Sequence, residues 1–161
     1  MIKIRQAVPK DINIITELET ICFPKEQAAS KERLEERLEY FSNHFLLAEY
    51  KGVIAGYIGG MVTNVKFIKD CMYEDSKLHN EQGEYQMVFS LVVHPDYRKK
   101  QIATNLMKAM ITQAGEEHRK GIGLTCLENL LVFYEKMGFL SYGISKSGHG
   151  NAIWYDMFLG L

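Results

Sequence analysis

The segment Gln86-Met-Val-Phe-Ser-Leu-Val-Val93 is apolar almost without interruption. That is the pattern of a strand covered on both faces, and it commits the chain to a sheet with further layers packed on each side. His94-Pro95-Asp96-Tyr97 ends the strand, because Pro95 has no backbone donor and restricts the residue before it. Three cations follow, Arg98, Lys99 and Lys100. Beyond them Ile102, Leu106, Ala109 and Met110 recur at helical spacing, with Met107 and Ala114 alongside. The unit reads strand, short basic loop, helix. Such a helix start presents unpaired N–H groups and the positive end of the helix dipole, so it suits a phosphate, and the adjacent cations strengthen the case.

With 161 residues the chain is expected to form one domain, 1–161, with a real core. Nineteen cations against twenty anions give a net charge of −1, which argues against general nucleic-acid affinity. Cys22, Cys71 and Cys126 are odd in number and widely spaced. They show neither zinc-ligand spacing nor a disulfide framework, so a reducing compartment and no metal are expected. The first residues lack an apolar signal core, and no run approaches membrane-spanning length. A cytoplasmic protein without membrane contact follows as the expectation.

Around the central unit the chain reads in order. Residues 2–8 alternate as a strand ended by Pro9-Lys10-Asp11, with Asp11 as N-cap of an amphipathic helix through Ile14, Ile15, Leu18 and Ile21 to Cys22. Ser30 caps a second helix whose apolar stripe is Leu34, Leu38 and Phe41. Glu32, Arg33, Glu35, Glu36 and Arg37 read as its solvated face. Residues 45–50 and 53–62 are strands joined at Lys51-Gly52. Gly56, Gly59 and Gly60 mark a bulge or a close approach. Residues 64–83 are polar and read as a loop with a short helix. Gly121–Cys126 reads as a buried strand, Asn129–Met137 as a short helix closed by Gly138, and Phe139–Gly143 and Ala152–Phe158 as two last strands. The fold class is α/β (α+β): a mixed, mostly antiparallel sheet of six to seven strands with helices on both faces.

Arg98-x-x-Gln101-x-Ala103 after a strand resembles the pyrophosphate-binding loop of the GNAT superfamily of acyl-CoA-dependent N-acetyltransferases. Its usual pattern is Gln/Arg-x-x-Gly-x-Gly/Ala, so Gln101 stands where the family places a glycine. A second segment, Thr125 to Phe139, resembles the signature in which a Phe-Tyr pair, here Phe133-Tyr134, precedes Glu-x-x-Gly-Phe. Two signatures in the right order and elements are far more specific than either alone. Cys22 to Leu38 and Gly148 to Met157 resemble the microbial arylalkylamine N-acetyltransferase-like branch.

The resemblance implies a V-shaped sheet opening between the strands at 86–93 and 122–127, with acetyl-CoA as cosubstrate in the cleft. Leu91, Val92 and Val93 would bond the pantetheine arm through their backbone, with an N–H near Leu91 polarising the thioester carbonyl. Arg98, Lys99, Lys100, Gln101, Ile102, Ala103 and Thr104 would hold the pyrophosphate, and Asn129 would also contact CoA. Tyr134 would protonate the departing thiolate; packing of a helix on the sheet is the alternative role for its ring. The two histidines that animal members of that branch carry on the central strand correspond to Met87 and Phe89, and the carboxylate of other branches falls near Gln86. None is a base. Glu84, His149 and a water held by Gln86 or Ser90 stand as candidate proton acceptors.

The function these readings imply is acetyl transfer to a primary amine, a small-molecule acceptor drawn by Asp70, Glu74, Asp75 and Glu84 and lined by Phe23, Tyr73, Tyr85 and Trp154. Packing and solvation account for those residues as well. Alternatives are an acyl-CoA-binding sensor without catalysis and an acetyltransferase acting on protein N-termini or lysines. Assembly as a homodimer is admitted; nucleic acid is not an expected partner.

Overall fold

The computed structural model describes all residues from 1 to 161. Along the chain run β1 (Ile2–Gln6), α1 (Ile12–Cys22), α2 (Lys31–Phe41), β2 (Phe45–Tyr50), β3 (Val53–Gly59), β4 (Val62–Thr63), α3 (Asp70–Glu74), β5 (Tyr85–Val88) and β6 (Ser90–Val93). They are followed by α4 (Ile102–Glu116), β7 (Gly121–Cys126), α5 (Leu131–Lys136), β8 (Leu140–Ile144) and β9 (Tyr155–Gly160). The residues divide into two compact units, 1–60 with 90–113, and 61–89 with 114–161, and each unit carries one sheet.

The first sheet has the order β1-β2-β3-β6 and is antiparallel throughout. Lys51 and Gly52 both have positive φ (52° and 82°), as a two-residue hairpin matched to strand twist requires. Ala48 pairs with Gly56 but Glu49 pairs with Ile54, so Ala55 is the extra residue of a bulge. A Cβ on Gly56 would lie 2.5 Å from the Val92 carbonyl oxygen; the expected close approach is that of β6. Ile15, Leu18, Leu34, Leu38 and Phe41 are fully buried, and Phe41, Phe45 and Tyr57 stack at centroid spacings of 5.8 Å. Ser30 Oγ accepts the Arg33 N–H, capping α2 as expected. Asp11 stands at the N-cap of α1 but serves other partners: both its oxygens take the Arg5 guanidinium at 2.9 Å, and Oδ2 takes the Val8 N–H.

Arg37 corrects the reading of α2's polar face. It is 4% exposed, because position 37 lies one turn from both Leu34 and Phe41 and so shares their inward face.

The second sheet has the order β4-β5-β7-β9-β8; β5 and β7 are parallel and the other pairs antiparallel. Met61, Val62, Met87, Ile122, Met157 and Phe139 form its core. The polar stretch 64–83 contains α3 and a 3-10 turn at Ser76–Leu78. Its end is pinned by the buried Arg119, which donates to the Glu81 and Gly83 carbonyls at 2.8 and 2.7 Å. Gly138, at φ 101°, follows α5 as the sequence indicates.

The mixed α/β class holds, with nine strands in two sheets. The segment 86–93 is not one strand: Phe89 interrupts it, β5 joins one sheet and β6 the other. Continuous apolarity reports burial on both faces, and both halves satisfy that; it carries no information about which strands they pair with. The expected helix 129–137 opens as a 3-10 turn at Glu128–Leu130, and the last strand starts at Tyr155 instead of Ala152.

Candidate functional site

Pro95–Tyr97 makes a 3-10 turn after β6, with His94 Nδ1 accepting the Asp96 N–H. Arg98, Lys99, Lys100 and Gln101 are exposed; Ile102 is buried, and Ala103 and Thr104 are half-buried. Lys99 and Gln101 both adopt left-handed backbone, with φ 62° and 66°. Gln101 holds the conformation that the missing glycine would supply. The first helical bond of α4 runs from the Asn105 N–H to the Gln101 carbonyl at 3.0 Å, and the Asn105 side chain donates to that carbonyl at 2.7 Å. The amides of Ile102, Ala103 and Thr104 therefore precede the ladder and point out of the helix start. Left-handed backbone beside a helix start is one of the settings in which N–H groups can converge on an anion. Arg98 Nε donates to the Val93 carbonyl at 3.4 Å, and the Lys100 ammonium sits 5.5 Å from the Tyr50 ring centre.

Leu91, Val92 and Val93 lie on β6, the last strand of its sheet. One side of β6 pairs with β3; the other carries the backbone groups that a pantetheine arm would need. Cys22 Sγ, from the end of α1, donates to the Val93 carbonyl at 3.3 Å.

Tyr134 is on α5 and 7% exposed, with its ring against Phe133 and Phe139. Burial, with the neighbouring Cys126 thiol second, holds its phenol well above the usual range, so it is protonated at neutral pH. Cys126 is itself pushed up to about 11, by burial and then by Glu135. Asn129 lies exposed in the turn before α5.

The proton-acceptor candidates separate. Glu84 is exposed, and its carboxylate pairs with the Lys120 ammonium at 2.7 Å. His149 is half-buried and stacks on Tyr73 at 4.6 Å, near Trp154, whose Nε1–H donates to the His149 carbonyl. Tyr73 also packs on Phe89 and shares a hydrogen bond with Thr125 Oγ1. Tyr73 and Trp154 thus both pack against His149, while Tyr85 packs on Phe158. Gln86 is fully buried and donates to the Met87 and Met61 carbonyls. Asp70 accepts from Ser147 Oγ and the Gly148 N–H, and Asp75 from the Lys77 N–H, so both serve loop geometry.

One residue escaped the sequence reading. Glu19, on α1, is 2% exposed and accepts from Tyr57 Oη, from Ser90 Oγ at 2.9 Å and from the Ala29 N–H at 2.9 Å. Its signal was present: position 19 lies one turn from Ile15 and from Cys22, an acid on the inward face of an amphipathic helix.

Residues 12–139 match the Acetyltransferase (GNAT) family. The chain is 30% identical over 113 residues to the probable hydrolase YhcX of Bacillus subtilis, covering 66% of this chain and 22% of that protein. It therefore spans about a fifth of that relative's length. Among solved structures it resembles the GphF GNAT-like decarboxylase in complex with isobutyryl-CoA, at TM-score 0.84, 17% identity and 98% coverage of both chains. It also resembles the PaiA N-acetyltransferase of Thermoplasma acidophilum in complex with coenzyme A, at TM-score 0.73, 16% identity and coverage of 100% of this chain and 99% of that one. At these identities the likeness is one of fold.

Proposed function

The chain belongs to the GNAT family of acetyltransferases, and from that premise we propose that it transfers an acetyl group from acetyl-CoA to a primary amine by direct attack. The observation that carries the reading is the loop from Arg98 to Thr104. Its left-handed residues at 99 and 101, its free helix-start amides and its exposed cations match what a pyrophosphate requires. Two solved structures of this fold hold CoA or an acyl-CoA, which supports the cosubstrate.

On this reading the outer backbone of Leu91 to Val93 aligns the pantetheine arm, and the amide near Leu91 stabilises charge on the thioester oxygen. Asn129 contributes from the turn before α5. Tyr134 donates a hydrogen bond to the departing sulfur. Its phenol is a weaker acid than a thiol, so it stabilises the developing thiolate more than it delivers a full proton. The acceptor is a small amine bordered by Tyr73, His149 and Trp154.

Calorimetry of CoA binding with Arg98→Glu/Lys99→Glu, combined with thiol release across an amine panel, tests the reading. The double reversal should weaken CoA at least about tenfold, since each charge-assisted phosphate contact contributes roughly 1.5–3 kcal/mol. Unchanged affinity removes the phosphate assignment; no amine-dependent thiol release removes the transferase.

A second reading, loss of carbon dioxide from a carboxyacyl-CoA, rests on one observation: Met87, Phe89 and Gln86 place no base on the central segment, and decarboxylation needs a proton donor but no base. Amine-independent loss of the carboxyl from malonyl-CoA would select it.

A further inference from the structure

The transferase reading leaves the amine's proton without a destination, and one buried cluster in the first unit bears on it. Three donors from three places converge on the Glu19 carboxylate. Tyr57 Oη comes from β3, Ser90 Oγ from the first residue of β6, and the Ala29 N–H from the loop between α1 and α2. Ser90 is 4% exposed and Tyr57 fully buried. Burial first, and then Glu19, hold the Tyr57 phenol well above its ordinary range, with the adjacent Ser90 hydroxyl and Arg37 acting the other way. Tyr57 therefore donates to Glu19, while Ser90 Oγ also lies against Tyr57 Oη. Arg37, itself buried on α2, acts on Tyr57 electrostatically, and Cys22, one turn along α1, feels Glu19. A carboxylate ringed this way is a pure acceptor.

The consequence falls on Ser90. A serine hydroxyl has one proton and two lone pairs. With the proton committed to Glu19, the oxygen can meet any further group only as an acceptor. Ser90 immediately precedes Leu91, so its Cα lies about 3.8 Å from that of the residue whose amide is assigned to the thioester oxygen.

We infer that Ser90 Oγ accepts the N–H of the attacking amine and that Glu19, behind it, is the positioning residue that fixes this direction. The inference rests on the transferase reading. In the step the amine nitrogen forms a bond to the acyl carbon, and the carbon–sulfur pair leaves with sulfur. The amine proton passes to Ser90 Oγ as the Ser90 proton passes to Glu19 Oε1. Glu19 then returns its proton to the thiolate or to solvent, closing the balance without another reactant.

The test compares two nucleophiles, methylamine and hydroxylamine, with acetyl-CoA at one pH, following thiol release by the wild type, Ser90→Ala, Ser90→Thr, Glu19→Gln and Tyr57→Phe. Methylamine is a strong base whose proton needs an acceptor; hydroxylamine is a weak one that loses its proton readily to water. Ser90→Ala and Glu19→Gln should raise the hydroxylamine-to-methylamine rate ratio at least about tenfold, the low side of what a positioned base contributes. Ser90→Thr, which keeps the hydroxyl, should restore the wild-type ratio. If Glu19→Gln does not fold, Tyr57→Phe, which keeps the ring and removes one donor, and Ser90→Ala carry the comparison. Equal loss with both nucleophiles, or no loss with either, overturns the inference and leaves Glu19 as a structural acid. No thiol release by the wild type with either nucleophile overturns the transferase reading, and this inference with it.

Discussion

At position 101 a glutamine holds left-handed backbone, φ 66°, where the resembled loop has glycine. That conformation costs a non-glycine residue about 1–2 kcal/mol, while glycine would cost about 0.5–1 kcal/mol through the freedom of the unfolded chain. The two offset in large part, with central values about 0.75 kcal/mol apart in favour of glycine. Gln101→Gly should therefore move stability by less than about 1 kcal/mol and leave CoA affinity within about threefold, because the backbone already has the required shape. Gln101→Val should lower both, and thermal melts with calorimetric titration would show it. A clear tightening by glycine would mean that the glutamine displaces the loop from the phosphates. Tyr134 belongs to the same scale. If, as proposed, its hydroxyl donates a hydrogen bond to the departing sulfur, Tyr134→Phe should lower kcat by roughly 10²-fold, the low end for a positioned acid, since a CoA thiolate leaves fairly well unaided. CoA affinity and Tm should hardly change, because the ring keeps its contacts with Phe133 and Phe139. Near-full kcat with chemistry limiting would make Tyr134 a packing residue.

Among elements, β6 bears the most demands. It closes one edge of its sheet, has a strand partner on one side only, sends Ser90 to Glu19 and feeds the basic loop. Its position is set by Gly56 on β3, where a Cβ would meet the Val92 carbonyl oxygen at 2.5 Å, a backbone atom that cannot swing aside. Gly56→Ala should destabilise by about 1–3 kcal/mol, the usual range for overpacking. It should also weaken CoA more than a core truncation of equal ΔΔG elsewhere, such as Ile122→Val. Equal effects of both on CoA would show that β6 is not held by this contact. The sequence marked Gly56 as a close approach or bulge, and both descriptions apply, since Ala55 beside it is the bulged residue. It could not mark Phe89 as the point where one apolar run changes sheets, because both halves are buried alike.

At the scale of the whole molecule, each compact unit is assembled from two separate stretches of chain, and α4 begins in one unit's residues and ends in the other's. Neither unit is a continuous segment, so we expect one cooperative unfolding transition, with calorimetric and van't Hoff enthalpies in agreement. Two resolved transitions would show independent units. The sequence alone sets most of the elements and the cationic character of the loop ahead of α4. Apolar periodicity, Pro95, Ser30, Lys51-Gly52 and Gly138 act locally, within a few residues of the structure they cause. It also carried the two signatures that lead to the GNAT family. Packing settled which strands pair, that Arg37 faces inward, that Glu84 pairs with Lys120, and that Glu19 meets Ser90 across 71 positions of chain. Those outcomes depend on which residues distant in sequence share a desolvated space. An acid among apolar residues on a helix says that it is buried, but its partners are named only when the helix has packed.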